Sequence, residues 1–173
     1  MGHRAEGPRM SGRLLVLELT TIEVAHLIAI TEQFLELVGD TGSSRDPAVA
    51  RLVPDAYPGD PDASGDFRRL TSGDLLDRRA NDARTLLGTL AQHGPVPPVS
   101  ELDEHSAMRP LTVTLDAEES AAWLRTLAAL RLVLASRMGI VDEDDDPIDD
   151  PRAVLYDWLG QRLDALVAAV GPA

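Results

Sequence analysis

Cysteine is absent from the 173 residues, which removes a disulfide framework, thiol catalysis and every thiolate metal site. Lysine is absent as well, so all 16 basic residues are Arg. With Ala, Gly, Asp and Pro abundant, that bias points to a GC-rich genome and carries little functional information. Aromatic residues make up only 3%, so a core has to be assembled from Leu, Val, Ala and Ile, a composition that favours helices. Positive charge is scarce. The formal net charge of -13 repels phosphate backbones and anionic lipid and attracts a basic partner, so nucleic acid is a disfavoured ligand. No apolar stretch approaches the roughly 20 residues needed to cross a bilayer. Met1-Gly2-His3-Arg4-Ala5-Glu6 has no apolar run behind it, and Glu6 stands where myristoylation requires Ser or Thr. These absences lead to the expectation of a cytoplasmic protein without membrane association.

What is present organises into one domain, long enough to bury a core without staples. Residues 1 to 12 are polar and interrupted by Gly and Pro, which predicts a disordered tail ahead of a single helical domain over 13 to 171. Leu14 to Leu19 reads as a short strand, and Thr20 with Glu23 forms a capping box that opens a helix. The device recurs in Leu111 to Leu115, followed by Asp116 and Glu119. Two lone strands are most simply satisfied by pairing, so a two-stranded ribbon is expected. On the first helix Val24, Leu27, Ile28, Ile30, Phe34, Leu35 and Val38 share a broad arc, opposite His26, Gln33, Glu36 and Asp40, and Gly39 ends it. A short helix is expected over Pro47 to Val53, then two more over Asp62 to Leu70 and Ser72 to Ala91, divided by a cap at Thr71 or Ser72. Pro95, Pro97 and Pro98 end that section. An acidic linker over 142 to 150 precedes a last helix with Asp150 as N-cap, Pro151 at its first position and an apolar stripe of Leu155, Leu159, Leu166 and Val170 flanked by Trp158 and Leu163. The fold class is mostly α: a single-domain bundle of about five or six helices with a minor two-stranded β-ribbon.

Motifs that could carry chemistry fail on context. Asp40-Thr41-Gly42-Ser43 spells the catalytic loop of aspartic proteases, but it follows a helix and has no twin, so proteolysis is rejected. Asp142, Asp144 and Asp146 match the first calcium positions of an EF-hand loop, yet Pro147 and Ala153 stand where the sharp turn and the bidentate carboxylate belong. That segment reads as a solvated linker. The four His residues lack metal spacing, and Asp103-Glu104-His105 has no nucleophile beside it. No catalytic residue, metal site or cofactor is called for.

The informative oddity is Arg131 within the arc of Trp123, Leu124, Leu127, Leu130 and Leu134, and Arg162 amid Leu155, Leu159 and Leu166. A desolvated guanidinium needs carboxylates or carbonyls, so the pair either bridges internal acids, snorkels, or converges on an anionic ligand or a partner's acidic terminus. Arg68, Arg69, Arg78, Arg79 and Arg84 form the one basic stretch. With two short helices around a turn it suggests a helix-turn-helix reader, but Asp66, Asp74, Asp77 and Asp82 nearly cancel the charge, which favours a salt-bridged helix surface.

Four runs taken together carry a resemblance: Pro54-Asp55-Ala56-Tyr57; Phe67-Arg68-Arg69-Leu70-Thr71 with Asp74-Leu75; Leu130-Arg131-Leu132 with Arg137-Met138-Gly139; and Tyr156-Asp157-Trp158-Leu159-Gly160. Over about residues 13 to 168 the chain resembles an uncharacterised family of GC-rich Gram-positive bacteria, the domain of unknown function numbered two thousand and seventeen. It departs from the pattern with Ser64-Gly65 where relatives carry an Ala-rich helix. The resemblance implies genes usually placed beside the Clp protease adaptor, some labelled transcriptional regulators, and it adds weight to Arg131 and Arg137. The resulting expectation is a non-enzymatic factor that binds another protein, in Clp-dependent proteolysis, through residues among Arg131, Arg162, Arg137, Arg68, Arg69, Tyr57, Asp157 and Trp158. The alternative is a DNA-binding regulator that uses 67 to 84.

Overall fold

The computed structural model describes residues 14–40, 46–53, 61–140 and 150–171, without the side chains of 61, 63, 64 and 66–70. The expected N-terminal tail, Thr41 to Ser43, Tyr57 and nearly all of the acidic linker lie outside the described residues, as do the side chains of Arg68 and Arg69. The described chain forms six α-helices and one two-stranded sheet, the mostly helical architecture expected from composition and periodicity.

Strand β1 (Leu15–Thr20) pairs antiparallel with β2 (Pro110–Leu115), Leu15 opposite Leu115 and Thr20 opposite Pro110. Strand alternation puts Leu19, Val113 and Leu115 into the core and leaves Val16, Glu18, Thr112 and Thr114 exposed or nearly so. The chain passes without a loop into α1 (Thr21–Gly39), and Thr21 N–H donates to the Arg109 carbonyl at 2.9 Å, tying the helix start to the ribbon. The capping residues do what their spacing demands: Glu23 Oε2 accepts the Thr20 backbone N–H at 2.7 Å, satisfying a donor that the first helical turn cannot. Val24, Leu27, Phe34 and Val38 are buried, whereas His26, Gln33 and Glu36 are exposed, as the wheel predicts.

Helix α2 (Pro47–Leu52), with Asp46 accepting the Ala48 N–H at 2.8 Å, buries Ala48, Val49 and Leu52 and packs on α5. The largest departure from expectation follows. Residues Pro61–Ala91 form one 31-residue helix, α3, with no break at Thr71 or Ser72 and none at Ser64-Gly65. A potential N-cap ends nothing unless the chain also has a reason to leave the helix. No Pro lies inside the span, a mid-helix Gly costs only about 1 kcal/mol, and Ala80, Ala83, Leu86 and Leu90 pack the downstream half against α1 and α5. The division into two helices expected there is therefore not formed.

After a 3-10 turn at Val99–Glu101, Asp103 accepts the Ser106 N–H at 2.8 Å and opens the one-turn α4 (Glu104–Ala107). Helix α5 (Ala117–Met138) starts with the expected reciprocal cap, Asp116 Oδ1 accepting from Glu119 N at 2.8 Å and Glu119 Oε2 from Asp116 N at 2.9 Å. It ends at Gly139, whose left-handed φ of 73° lets Ile140 N–H reach back to the Ala135 carbonyl at 2.9 Å. This is the central helix, in contact with α2, α3 and α6. Its Trp123 is fully buried, and the indole N–H donates to Thr89 Oγ1 at 2.9 Å, removing the penalty of burying a donor.

Helix α6 (Ala153–Val170) begins two residues later than expected: Asp150 Oδ1 accepts the Arg152 N–H at 2.8 Å, so 150 to 152 form a turn that leads into the helix. Leu159 and Leu166 are fully buried against α5. Val170, expected in the stripe, stays 48% exposed because the helix end overhangs the core.

Candidate functional site: a groove between α1 and α6

Glu23 is the point at which α6 meets the start of α1. Besides the Thr20 N–H, Oε2 accepts the Thr20 hydroxyl at 3.0 Å, while Oε1 accepts the Trp158 indole N–H at 2.7 Å and an Arg162 guanidinium N–H. Burial by itself would raise the Glu23 pKa. The hydrogen bonds from Thr20, Arg162 and Trp158, with the Arg162 charge, outweigh it and hold the carboxyl below its ordinary value. The Arg162 Cζ also lies 5.6 Å from the centre of the Trp158 ring, so indole, guanidinium and carboxylate form one polar cluster among apolar neighbours. Of the arrangements open to Arg162, the fold adopts the internal bridge.

Beside this cluster a groove of about 470 Å³ opens between the first turns of α1 and α6. Ile22, Pro151, Val154, Leu155 and Trp158 supply apolar walls, with His26 and Arg152 at the edge. Val154 is 79% exposed, a large cost in hydrated apolar surface for a residue without a partner. A second hollow of about 310 Å³ continues along α1 between Ile30, Phe34 and Leu37 and the α5 side chains Leu130 and Leu134, with Arg137 and Arg152 at its rim. Arg152 lines both, so together they make a track along α1 from Ile22 to Leu37, about 22 Å at 1.5 Å per residue.

The other expected site residues separate. Arg131 stacks on Tyr156, Cζ 4.3 Å from the ring centre, and its Nε is buried without a hydrogen-bond partner. No ion pair joins it to an acid among the described residues, and the Tyr156 ring face stands where a carboxylate or carbonyl was one of the expected partners. A Cβ at Gly160 would sit 3.2 Å from that Nε, so the glycine makes room for the guanidinium. Tyr156 and Gly160 occupy a different face of α6 from Arg162, so Arg131 and Arg162 do not converge. Arg137 is exposed and pairs with Asp46 at 2.6 Å, which lowers the Asp46 pKa, and Asp157 faces solvent. Among the described residues no group of three or more His, Asp or Glu is placed to hold a metal ion. No helix in the described chain is long and apolar enough to cross a membrane.

A family model for a domain of unknown function, DUF2017, matches residues 4–170. The chain belongs to this family. No match was found among curated proteins or among solved structures. The fold gives physical content to the motifs that carried the likeness. In this DUF2017 chain Tyr156 stacks on Arg131, Trp158 donates to Glu23, Leu159 fills the core and Gly160 admits the Arg131 head group.

Sequence reasoning missed Glu23 as a site residue, because its capping role accounted for it locally. Its partners lie 135 and 139 positions away, a separation no periodicity reveals. Ile22, Pro151 and Val154 were missed because being apolar and uncovered is a tertiary property.

Proposed function

We propose that this chain is a cytoplasmic, non-enzymatic factor that works by binding another protein through the α1–α6 groove. The observation that carries the reading is the exposed apolar wall of Val154 and its neighbours beside a carboxylate whose hydrogen-bonding capacity is already spent on Thr20, Trp158 and Arg162. Such a groove offers burial and shape, with His26 and Arg152 only at its edge, which suits recognition of a segment of a partner. Regulated proteolysis by the Clp system, the setting implied by the gene neighbourhood of the family, is the context in which we place it.

A DNA-binding regulator is the second reading, favoured by Arg78 and Arg84 exposed on α3. Against it, exposed Asp74 and Asp77 alternate with them, and Arg79 is turned inward to donate to the Leu52 carbonyl at 3.1 Å. Affinity capture from host lysate separates the two. Capture of a protein lost in Val154→Asp and kept in Arg78→Ala/Arg84→Ala is the expected result. Salt-sensitive DNA retention that is abolished by the double Arg variant and indifferent to Val154→Asp refutes it.

A further inference from the structure

The charge around the groove indicates what kind of segment it takes, on the reading that the groove binds protein. Helix α1 contains no Lys or Arg, and α6 contains only Arg162, which is spent on Glu23. Glu32 and Glu36 on α1 and Asp157 and Asp164 on α6 are exposed and have no basic partner among the described residues. The cations on the rim, Arg137 and Arg152, are already neutralised by Asp46 and Asp150, at 2.6 Å each. In the sequence, the run Asp142-Glu143-Asp144-Asp145-Asp146 and then Asp149-Asp150 stand directly before the groove residue Pro151. The apolar track thus runs between two helices whose exposed carboxylates Glu32, Glu36, Asp157 and Asp164 have no basic partner among the described residues, in a chain of net charge -13.

From this we infer that the occupant is a short amphipathic helix of a partner protein, with apolar side chains seated along α1 and Lys or Arg on its flanks. The track of about 22 Å accommodates about four helical turns. Apolar anchors at helical spacing fit the two hollows on either side of Arg152, and the basic flanks meet the acids of α1 and α6. Electrostatics of this kind speeds encounter and excludes acidic competitors, while the buried anchors set the residence time.

The test uses the full chain and three synthetic peptides of about four turns: a Leu/Lys amphipathic helix, its Leu/Glu counterpart, and a Leu/Lys scramble of the same charge without an apolar face. Affinity is read by anisotropy of labelled peptide, and the location of binding by fluorine NMR of fluorotryptophan at the two Trp positions. The expected result is binding of the Leu/Lys helix that weakens with salt, moves the Trp158 resonance and leaves that of buried Trp123 in place. Val154→Asp should weaken it about ten-fold, the loss of one seated aliphatic contact. That variant is diagnostic because it adds negative charge: indiscriminate attraction of a cation to an acidic surface would become stronger. Equal or tighter binding of the Leu/Glu helix, still sensitive to Val154→Asp, overturns the basic partner and leaves the groove standing. Binding of the scramble equal to that of the helix, or Leu/Lys binding that Val154→Asp does not weaken, overturns both. Failure of the Leu/Lys helix to bind at all overturns the charge assignment, and the capture experiment then decides the groove.

Discussion

Replacing Glu23 by Ala removes the acceptor for four donors in one step; the part-exposed Thr20 hydroxyl can turn to water at little cost, and the other three can be worked out one by one. The Thr20 N–H loses its capping partner, worth about 1 kcal/mol. The half-buried Trp158 indole N–H loses an ionised acceptor, worth about 1–2 kcal/mol. The Arg162 side chain is 35% exposed, so water takes over much of its solvation and the lost ion pair adds no more than about 1 kcal/mol. The sum is about 2–4 kcal/mol, which for a chain of this length lowers Tm by roughly 5–15 °C. Glu23→Gln keeps a carbonyl acceptor and should cost about half as much. The sign of the pH dependence follows from the lowered pKa. Glu23 contributes fully above its ordinary value of 4.5, and the contribution is lost as pH falls through the folded-state value. Urea denaturation followed by Trp emission should therefore show the gap between wild type and Glu23→Gln closing on acidification. A loss below about 0.5 kcal/mol in Glu23→Ala, or a gap that widens in acid, refutes the claim that this carboxylate holds α6 to α1.

Three further outcomes are expected. Gly160→Ala gains about 1 kcal/mol of helix propensity but presses on Arg131, so it should be near neutral in wild type and stabilising in an Arg131→Ala background; additivity in the double-mutant cycle refutes the contact. Gly139→Ala should cost about 1–2 kcal/mol in thermal denaturation, because its φ of 73° closes the end of α5, and an unchanged Tm refutes that reading of the cap. Arg125→Ala breaks the Asp82 ion pair at 2.7 Å, yet with the Arg side chain 58% exposed the loss should stay below about 1 kcal/mol, and a larger one means that the pair is better shielded than its exposure indicates.

Local signals survived folding where local physics was sufficient. The reciprocal cap at Asp116 and Glu119, the stop of α1 at Gly39, the first-helix apolar arc and the pairing of two lone strands all rest on interactions within a few residues or on unsatisfied backbone groups. Local signals misled where the competing state was also local. A cap-like Thr71-Ser72 cannot break a helix whose two sides both remain helical, so α3 runs through it. Arg131 and Arg162 were legible as guanidiniums inside apolar arcs, but whether each met an acid, a ring or a ligand was not.

The sequence alone determined the helical class, because few aromatics, many Leu and Ala, and helical periodicity leave no other economical way to bury this chain. It also determined the acidic field that any partner must meet. Tertiary structure decided the rest: that a capping glutamate would anchor Trp158 and Arg162, that Tyr156 would receive Arg131 over a glycine, and that Val154 would remain uncovered beside Ile22. Each depends on contacts between residues far apart in the chain, whose meeting is fixed by the packing of whole helices and leaves no pattern in the order of amino acids.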